Sequence, residues 1–264
     1  MPPPRTALIM GVSNHRSIAW GITKSFVEKG WHVILTYQND SIQSKVERLV
    51  HKEDAEILGG FACDVSSSHL DETLPLQLAD ILQDRPLDAV VHSLAHAPNL
   101  KTPLSQSSME DFTKAHEISA YSLIAVARAT QPFLAATESS LTALSYLGAV
   151  RAIPGYNSMG PAKASLEAVV RGLALEMASS NSNNNTRVNA VSAGPIATLS
   201  SKGGIANFGT MLEDVTQRAP LGNVTQEQVA STVQFLASEG TGITGQTIYV
   251  DGGYSIVGGP PPRY

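Results

Sequence analysis

The chain has 264 residues, 42% of them hydrophobic, which supplies one sizeable core and fits either one large α/β domain or two small ones. Its 18 Lys and Arg stand scattered against 23 Asp and Glu, a net charge of -5 with no basic stripe, so nucleic acid and anionic membrane are excluded as partners. The single cysteine, Cys63, excludes an intramolecular disulfide, and no apolar run of membrane-spanning length or secretory leader occurs, so the sequence reads as soluble, in a reducing, cytoplasmic compartment.

The first β-rich run, TALIMG (6–11), opens directly into MGVSNHRSIAWG and an amphipathic helix over 17–30. A strand, a glycine and a helix N-terminus make a natural anion site, because free N–H groups and the helix dipole favour phosphate there. The G-x-G-x-x-G fingerprint is absent, so this junction alone fits a glycine turn with Ser17 as N-cap equally well. The second run, HVILTY (32–37), is followed by Gln38, Asn39 and Asp40, with no base before Lys45. An amide or acid at this point suits a free ribose 2'-hydroxyl, whereas a base suits a 2'-phosphate, so NADH is predicted over NADPH.

The third run, EILGGFAC (56–63), ends at Asp64, a candidate acceptor for the adenine amino group, and the fourth, LDAVVHSLA (87–95), brings the backbone of Ser93 to Ala95 towards the ribose and nicotinamide. Helix capping explains these residues equally well. His92 and His96 have the i,i+4 spacing of a helical metal pair but straddle a strand end, so no metal is predicted. A second amphipathic helix is predicted over 121–134, and the fifth run, SLTALSYL (140–147), contains Tyr146.

In IPGYNSMGPAKASLEA (153–168), Tyr156 and Lys163 lie seven positions apart. On a helix they would share a face to within about 20° at a separation of about 10 Å, a gap that a dinucleotide can bridge. Tyr156 is then placed at the helix start, where the positive dipole end favours developing oxyanion charge. SSNSNNN (179–185) reads as a polar loop before the sixth run, TRVNAVSAG (186–194). The segment 195–220, long and containing Gly203, Gly204 and Gly209, reads as a substrate-covering loop. The seventh run is QTIYVDGG (246–253), and VGGPPPRY (257–264) reads as an irregular tail. Seven runs separated by helices predict a single α/β domain of 1–264 with a doubly wound, Rossmann-type, seven-stranded parallel sheet.

The words SIAWGI, TYQND, CDV, LSYLGA, RAIPGYN, AKASLEA, RVNA, SAGPI and VDGGYSI, spread over residues 5–256, resemble those of short-chain dehydrogenases/reductases, and within them the bacterial NADH-dependent enoyl-acyl-carrier-protein reductases. Carbonyl-reducing members carry a tyrosine four residues before the lysine and a serine about thirteen before that tyrosine; here those positions are Met159, which cannot donate a proton, and Tyr146. Enoyl reductases carry the pattern seen here, a tyrosine seven residues before the lysine and a second tyrosine ten residues upstream. The resemblance implies hydride transfer from NADH to the β-carbon of a trans-2-enoyl thioester in fatty-acid biosynthesis, with Tyr156 bonding the thioester oxygen, Lys163 holding the nicotinamide ribose and Tyr146 helping to position the substrate. It implies nucleotide contacts at Gly11, Ser17, Ile18, Gln38, Asp64, Val65, Ser93, Lys163, Ile196 and Thr198, substrate contacts at Ala95, Tyr146, Tyr156 and Met159, and a homotetramer.

Three features depart from that pattern. Ala95 replaces a frequent glycine beside the substrate, Pro161 falls in the first turns of the catalytic helix, and GGIANFGTMLED (203–214) lacks the Lys and Arg that relatives use to dock an acidic carrier protein. The acyl group is therefore expected to arrive on coenzyme A, a small thioester or another enone rather than on a typical acidic carrier protein. A specialised C=C or C=O reductase of secondary metabolism and a non-catalytic dinucleotide-binding scaffold are the alternatives, the second disfavoured by retention of Tyr146, Tyr156 and Lys163.

Overall fold

The computed structural model describes residues 3–50, 56–178, 185–204 and 208–258. Nearly all of the expected polar loop 179–185, the end of the tail 257–264 and positions 205–207 of the covering segment lie outside them. The seven runs form strands β1 (Thr6–Met10), β2 (His32–Tyr37), β3 (Ile57–Ala62), β4 (Ala89–His92), β5 (Ser139–Ser145), β6 (Thr186–Ala193) and β7 (Thr247–Val250). All pair in parallel, in the order β3-β2-β1-β4-β5-β6-β7, as the alternation of strands and helices predicts.

The helices are α1 (Ile18–Glu28), α2 (Asp40–Val50), α3 (Leu70–Leu82), α4 (Met109–His116), α5 (Ser122–Thr130), α6 (Met159–Met177), α7 (Leu199–Gly204), α8 (Phe208–Arg218) and α9 (Gln226–Ser238). Each sheet face has its own core. Leu74 and Leu78 of α3, Leu123 and Val126 of α5 and Leu166 and Val170 of α6 cover one face. Ile22 and Phe26 of α1 with Val229, Val233 and Leu236 of α9 cover the other. Strands buried on both faces have no polar side to show, which is why they read as near-continuous apolar runs.

Strand order reverses between β1 and β4, so their carboxyl ends part and open a crevice where ligands of such sheets bind. Gly11 sits at that point with φ +91°, and a Cβ on it would lie 2.3 Å from the Ser93 carbonyl oxygen. The turn therefore requires glycine on two counts, its left-handed backbone and the close approach of the chain leaving β4.

Four local expectations are corrected. The helix placed at 121–134 ends at Thr130, because Pro132 belongs to a following 3₁₀ turn, Gln131–Phe133. At its other end it continues back through a π-helical turn, Glu117–Tyr121, into α4. The segment 195–220 contains two helices, α7 and α8, rather than an open loop. Tyr156 stands three residues before α6, not on it. Pro161 is the third residue of α6, and the first four N–H groups of a helix have no partner within it, so the ring removes no intrahelical bond.

Candidate active site

A cavity of about 560 Å³ opens at the carboxyl ends of β1, β4, β5 and β6. Of the residues singled out in the sequence for the nucleotide, Gly11, Ser17, Ile18, Ser93, Lys163, Ile196 and Thr198 line it. Ala95, Tyr146, Tyr156 and Met159, singled out for the substrate, line it too. The cavity does not extend to Gln38, Asp64 or Val65. Gln38 is exposed beyond β2. Asp64 accepts from Ser66 N at 2.9 Å and Ser66 Oγ at 2.8 Å, which closes a local turn, and Val65 is buried in the core. Ser17 does both things foreseen for it: it caps α1 by accepting from Trp20 N at 3.3 Å, and it faces the cavity.

Lys163 is 4% exposed, and its Nζ donates to Leu144 O at 2.7 Å and Leu94 O at 3.5 Å. An ammonium has three donors, and with two aimed at strand-end carbonyls the third is available to a ligand. Burial disfavours the charged form and pushes the pKa down to about 8, while Glu167, one turn along α6, pushes it up. Glu167 is itself 6% exposed, and Ser145 Oγ donates to its Oε1 at 2.6 Å.

Tyr156 reaches the same cavity from the turn before α6. Its carbonyl accepts from Met159 N at 3.0 Å and Gly160 N at 3.2 Å, so the residue that supplies the phenol also begins the helix that carries the lysine. Its ring meets that of Tyr146 edge to face, with centroids 4.8 Å apart, in an apolar cluster with Leu147, Met159 and Ala162. Tyr146 Oη approaches Met211 Sδ of α8 at 3.4 Å. Desolvation raises both phenols well above the ordinary tyrosine value, so at neutral pH they are neutral hydrogen-bond donors and not bases. Met159, at the carbonyl-reducing tyrosine position, packs in this cluster and lines the cavity with a thioether that has no proton to donate.

The segment 195–220 contributes Ile196, Thr198, Phe208 and Met211 to the cavity wall. Thr198 Oγ1 accepts from Ser201 N at 3.0 Å, and Ser201 Oγ donates to Ile196 O at 2.8 Å, which fixes the start of α7. His92 is fully buried with Nε2 2.7 Å from Ser122 Oγ, and burial together with Lys163 pushes its pKa down to about 3. His96 is held by its backbone instead, exchanging two 3.0 Å hydrogen bonds with Ser119 Oγ. The described residues contain no group of three or more His, Cys, Asp or Glu able to hold a metal.

Two residues that sequence reasoning missed shape this site, Glu167 and Gly148. A Cβ on Gly148 would lie 2.4 Å from Tyr156 Cδ1 and 2.6 Å from Cε1, so the tyrosine ring occupies the space where a side chain would be. The only signal in the sequence was a glycine two residues after Tyr146, which by itself reads as a turn.

Residues 11–255 match the family described as enoyl-(acyl carrier protein) reductase. The enoyl-[acyl-carrier-protein] reductase [NADH] FabI of Neisseria meningitidis serogroup B is 45% identical over 255 residues, covering 94% of this chain and 94% of that protein. Among solved structures, the Bacillus cereus enoyl-acyl carrier protein reductase with NADP+ and indole naphthyridinone is 39% identical with TM-score 0.89, covering 96% and 97%. The Anaplasma phagocytophilum reductase in complex with NAD is 35% identical with TM-score 0.89, covering 98% and 96%.

Because the Gly148 position and the Tyr156 ring compete for one space, Gly148→Ala is predicted to lower turnover by about tenfold or more while NADH affinity changes less than about threefold. Steady-state kinetics beside fluorescence titration of NADH checks this; equal loss of both would show that the contact supports the whole cavity and not the tyrosine.

Proposed function

We infer that this chain, which belongs to the enoyl-(acyl carrier protein) reductase family and is an oxidoreductase acting on enoyl thioesters, uses NADH and the trio Tyr156, Tyr146 and Lys163 to reduce the substrate C=C bond. The observation that carries the residue assignment is the convergence, in one cavity, of a buried ammonium and two desolvated phenols beside a helix N-terminus.

The cofactor is a nicotinamide dinucleotide, and the residues present suit one. The α1 N-terminus behind Ser17 offers unpaired N–H groups to a diphosphate, and Lys163 offers its remaining donor to a ribose. Relatives differ in whether their names or complexes carry NAD(H) or its phosphate. Here Gln38, Asn39 and Asp40 are all exposed after β2, and Asp40 lies in the first turn of α2. A 2'-phosphate there would meet a carboxylate and no base, which favours NADH.

A bound reduced nicotinamide would supply hydride to the β-carbon of the trans-2-enoyl thioester, and a solvent-derived proton on the α-carbon would complete the reduction. The negative charge that develops on the thioester oxygen is met by the Tyr156 hydroxyl, which donates a hydrogen bond from a site already stripped of water and so needs little reorganisation. Tyr146, edge to face with Tyr156, holds that ring in place and walls the acyl pocket with Met159 and Ala95. The same apolar cluster keeps both phenols protonated, so Tyr156 serves as donor across the neutral range.

The segment 203–214 contains no Lys or Arg and ends in Glu213 and Asp214, so an acidic carrier would find no complementary patch there. We propose that electrostatic steering contributes little and that coenzyme A thioesters serve nearly as well as carrier-bound ones.

With crotonyl-CoA, kcat/KM for NADH is predicted to exceed that for NADPH by about 30-fold, and Tyr156→Phe to lower kcat by about 100-fold with NADH affinity retained. Comparable efficiency with NADPH would contradict the first reading, and an unimpaired phenylalanine variant the second. Between about 50 and about 500 mM salt, any preference for carrier-bound over coenzyme A-bound crotonyl substrate is predicted to change less than about threefold; a steep loss with salt would reveal steering that the proposal denies.

A further inference from the structure

Acidic side chains are rarely buried without a charge or donor to meet them, and Glu167 of α6 is 6% exposed. Ser145 Oγ donates to its Oε1 at 2.6 Å, and Ser145 is both the last residue of β5 and part of the cavity wall. The residue before it, Leu144, supplies the carbonyl that accepts from Lys163 Nζ at 2.7 Å. Two consecutive residues at the end of one strand thus hold two opposite charges on one helix. Leu144 takes the ammonium through its carbonyl, and Ser145 takes the carboxylate through its hydroxyl. The i,i+4 spacing puts Lys163 and Glu167 on the same face of α6, towards that strand end.

We propose that Glu167 is a positioning residue for the reductase: anchored by Ser145, it keeps the Lys163 ammonium protonated and directed into the cavity, where the dinucleotide ribose needs a charged donor. The proposal rests on Lys163 being the ribose ligand.

The other titratable groups around the lysine do not supply this support. His92 of β4 lies in the core and is neutral, and Lys163 is one reason that it is. Tyr146 and Tyr156 are kept protonated by burial and carry no charge. Tyr249 of β7 feels Glu167 as well as Arg151 and Asp251, but of these charged groups only Glu167 acts on the lysine, and it raises it. Without it, only the two strand-end carbonyls offset desolvation, and the amine loses its proton at a lower pH. The sign follows from the lysine: a group that binds ligand in its protonated form loses affinity as pH rises through its pKa in the free protein.

The test is NADH affinity of the full chain, read by nicotinamide fluorescence from about pH 6 to about pH 9, for wild type, Glu167→Gln, Glu167→Asp and Ser145→Ala. Wild-type affinity should fall above about pH 8. Glu167→Gln should move that fall about one pH unit lower, so that binding is about fivefold weaker at pH 8, about tenfold weaker at pH 9 and within about threefold of wild type at pH 6. Glu167→Asp, which keeps the charge, should restore a midpoint close to that of wild type, and Ser145→Ala, which only releases the carboxylate, should shift it in the same direction as Glu167→Gln. A Glu167→Gln profile parallel to wild type, or weakened equally at every pH, would overturn the proposal in favour of a packing role. If Glu167→Gln does not fold, an unshifted Ser145→Ala profile overturns it instead. Wild type that binds no NADH at any pH would sink the cofactor reading itself, and this one with it.

Discussion

Lys163 keeps an ammonium group with 4% of its surface exposed, and an ion so far from water persists only where fixed oxygen atoms replace its hydration. Those oxygens are carbonyls beyond the hydrogen-bonded part of two strands: Leu144 O near the end of β5, and Leu94 O two residues after β4 stops at His92. Much else follows from that arrangement. β4 must end early enough to release Leu94, the chain leaving it passes so close to the β1 turn that a Cβ on residue 11 would lie 2.3 Å from Ser93 O, and that approach admits only glycine at position 11. Helix α6 must begin where its second turn crosses the strand ends. The carbonyl of Tyr156 sets this start, so the phenol and the amine are placed by one local structure.

Burial has opposite consequences for the two kinds of group gathered there. It lowers the amine to about 8 and lifts both phenols, so near neutral pH the cavity contains one cation and two uncharged donors. That combination suits a reaction in which a neutral thioester acquires negative charge on oxygen. A solvated site would offer the same donors at reduced strength, because water competes for the oxygen and screens the cation. The cluster of Tyr146, Tyr156, Leu147, Met159 and Ala162, with Met211 of α8 against Tyr146, is what buries both phenols. Gly148 matters for the same reason, since the Tyr156 ring fills the space that a side chain there would take.

The sheet was legible in the sequence because strands buried on both faces leave long apolar words, and the seven runs all became strands with their ends trimmed by a few residues. The gathering of Tyr146, Tyr156 and Lys163 was legible from resemblance, yet the helix-face geometry inferred for the pair was not correct. Gly155 and Asn157 both adopt positive φ, so the chain enters α6 through a turn that periodicity cannot express. The helices within 195–220 were hidden because Gly203, Gly204 and Gly209 signal a loop, whereas the packing of Phe208 and Val215 decides for a helix. Glu167 reads as a solvated charge on a helix until the partner at Ser145 is known, a contact 22 residues away in sequence. Gln38 and Asp64 remain surface residues beyond the cavity, so their proposed part in binding adenosine rests on position alone.

The central claim is that the cavity holds a buried lysine which is charged at neutral pH and titrates far below an ordinary lysine. It is tested most directly by nuclear magnetic resonance of selectively ¹³Cε-labelled lysine, with the Lys163 signal assigned through Lys163→Arg and followed against pH with and without NADH. The account predicts a midpoint near 8 in the free protein, well below the 10.5 of an ordinary lysine, and a rise when NADH occupies the remaining donor. A Lys163 signal that titrates with the solvent-exposed lysines, or one that ignores NADH, would contradict it.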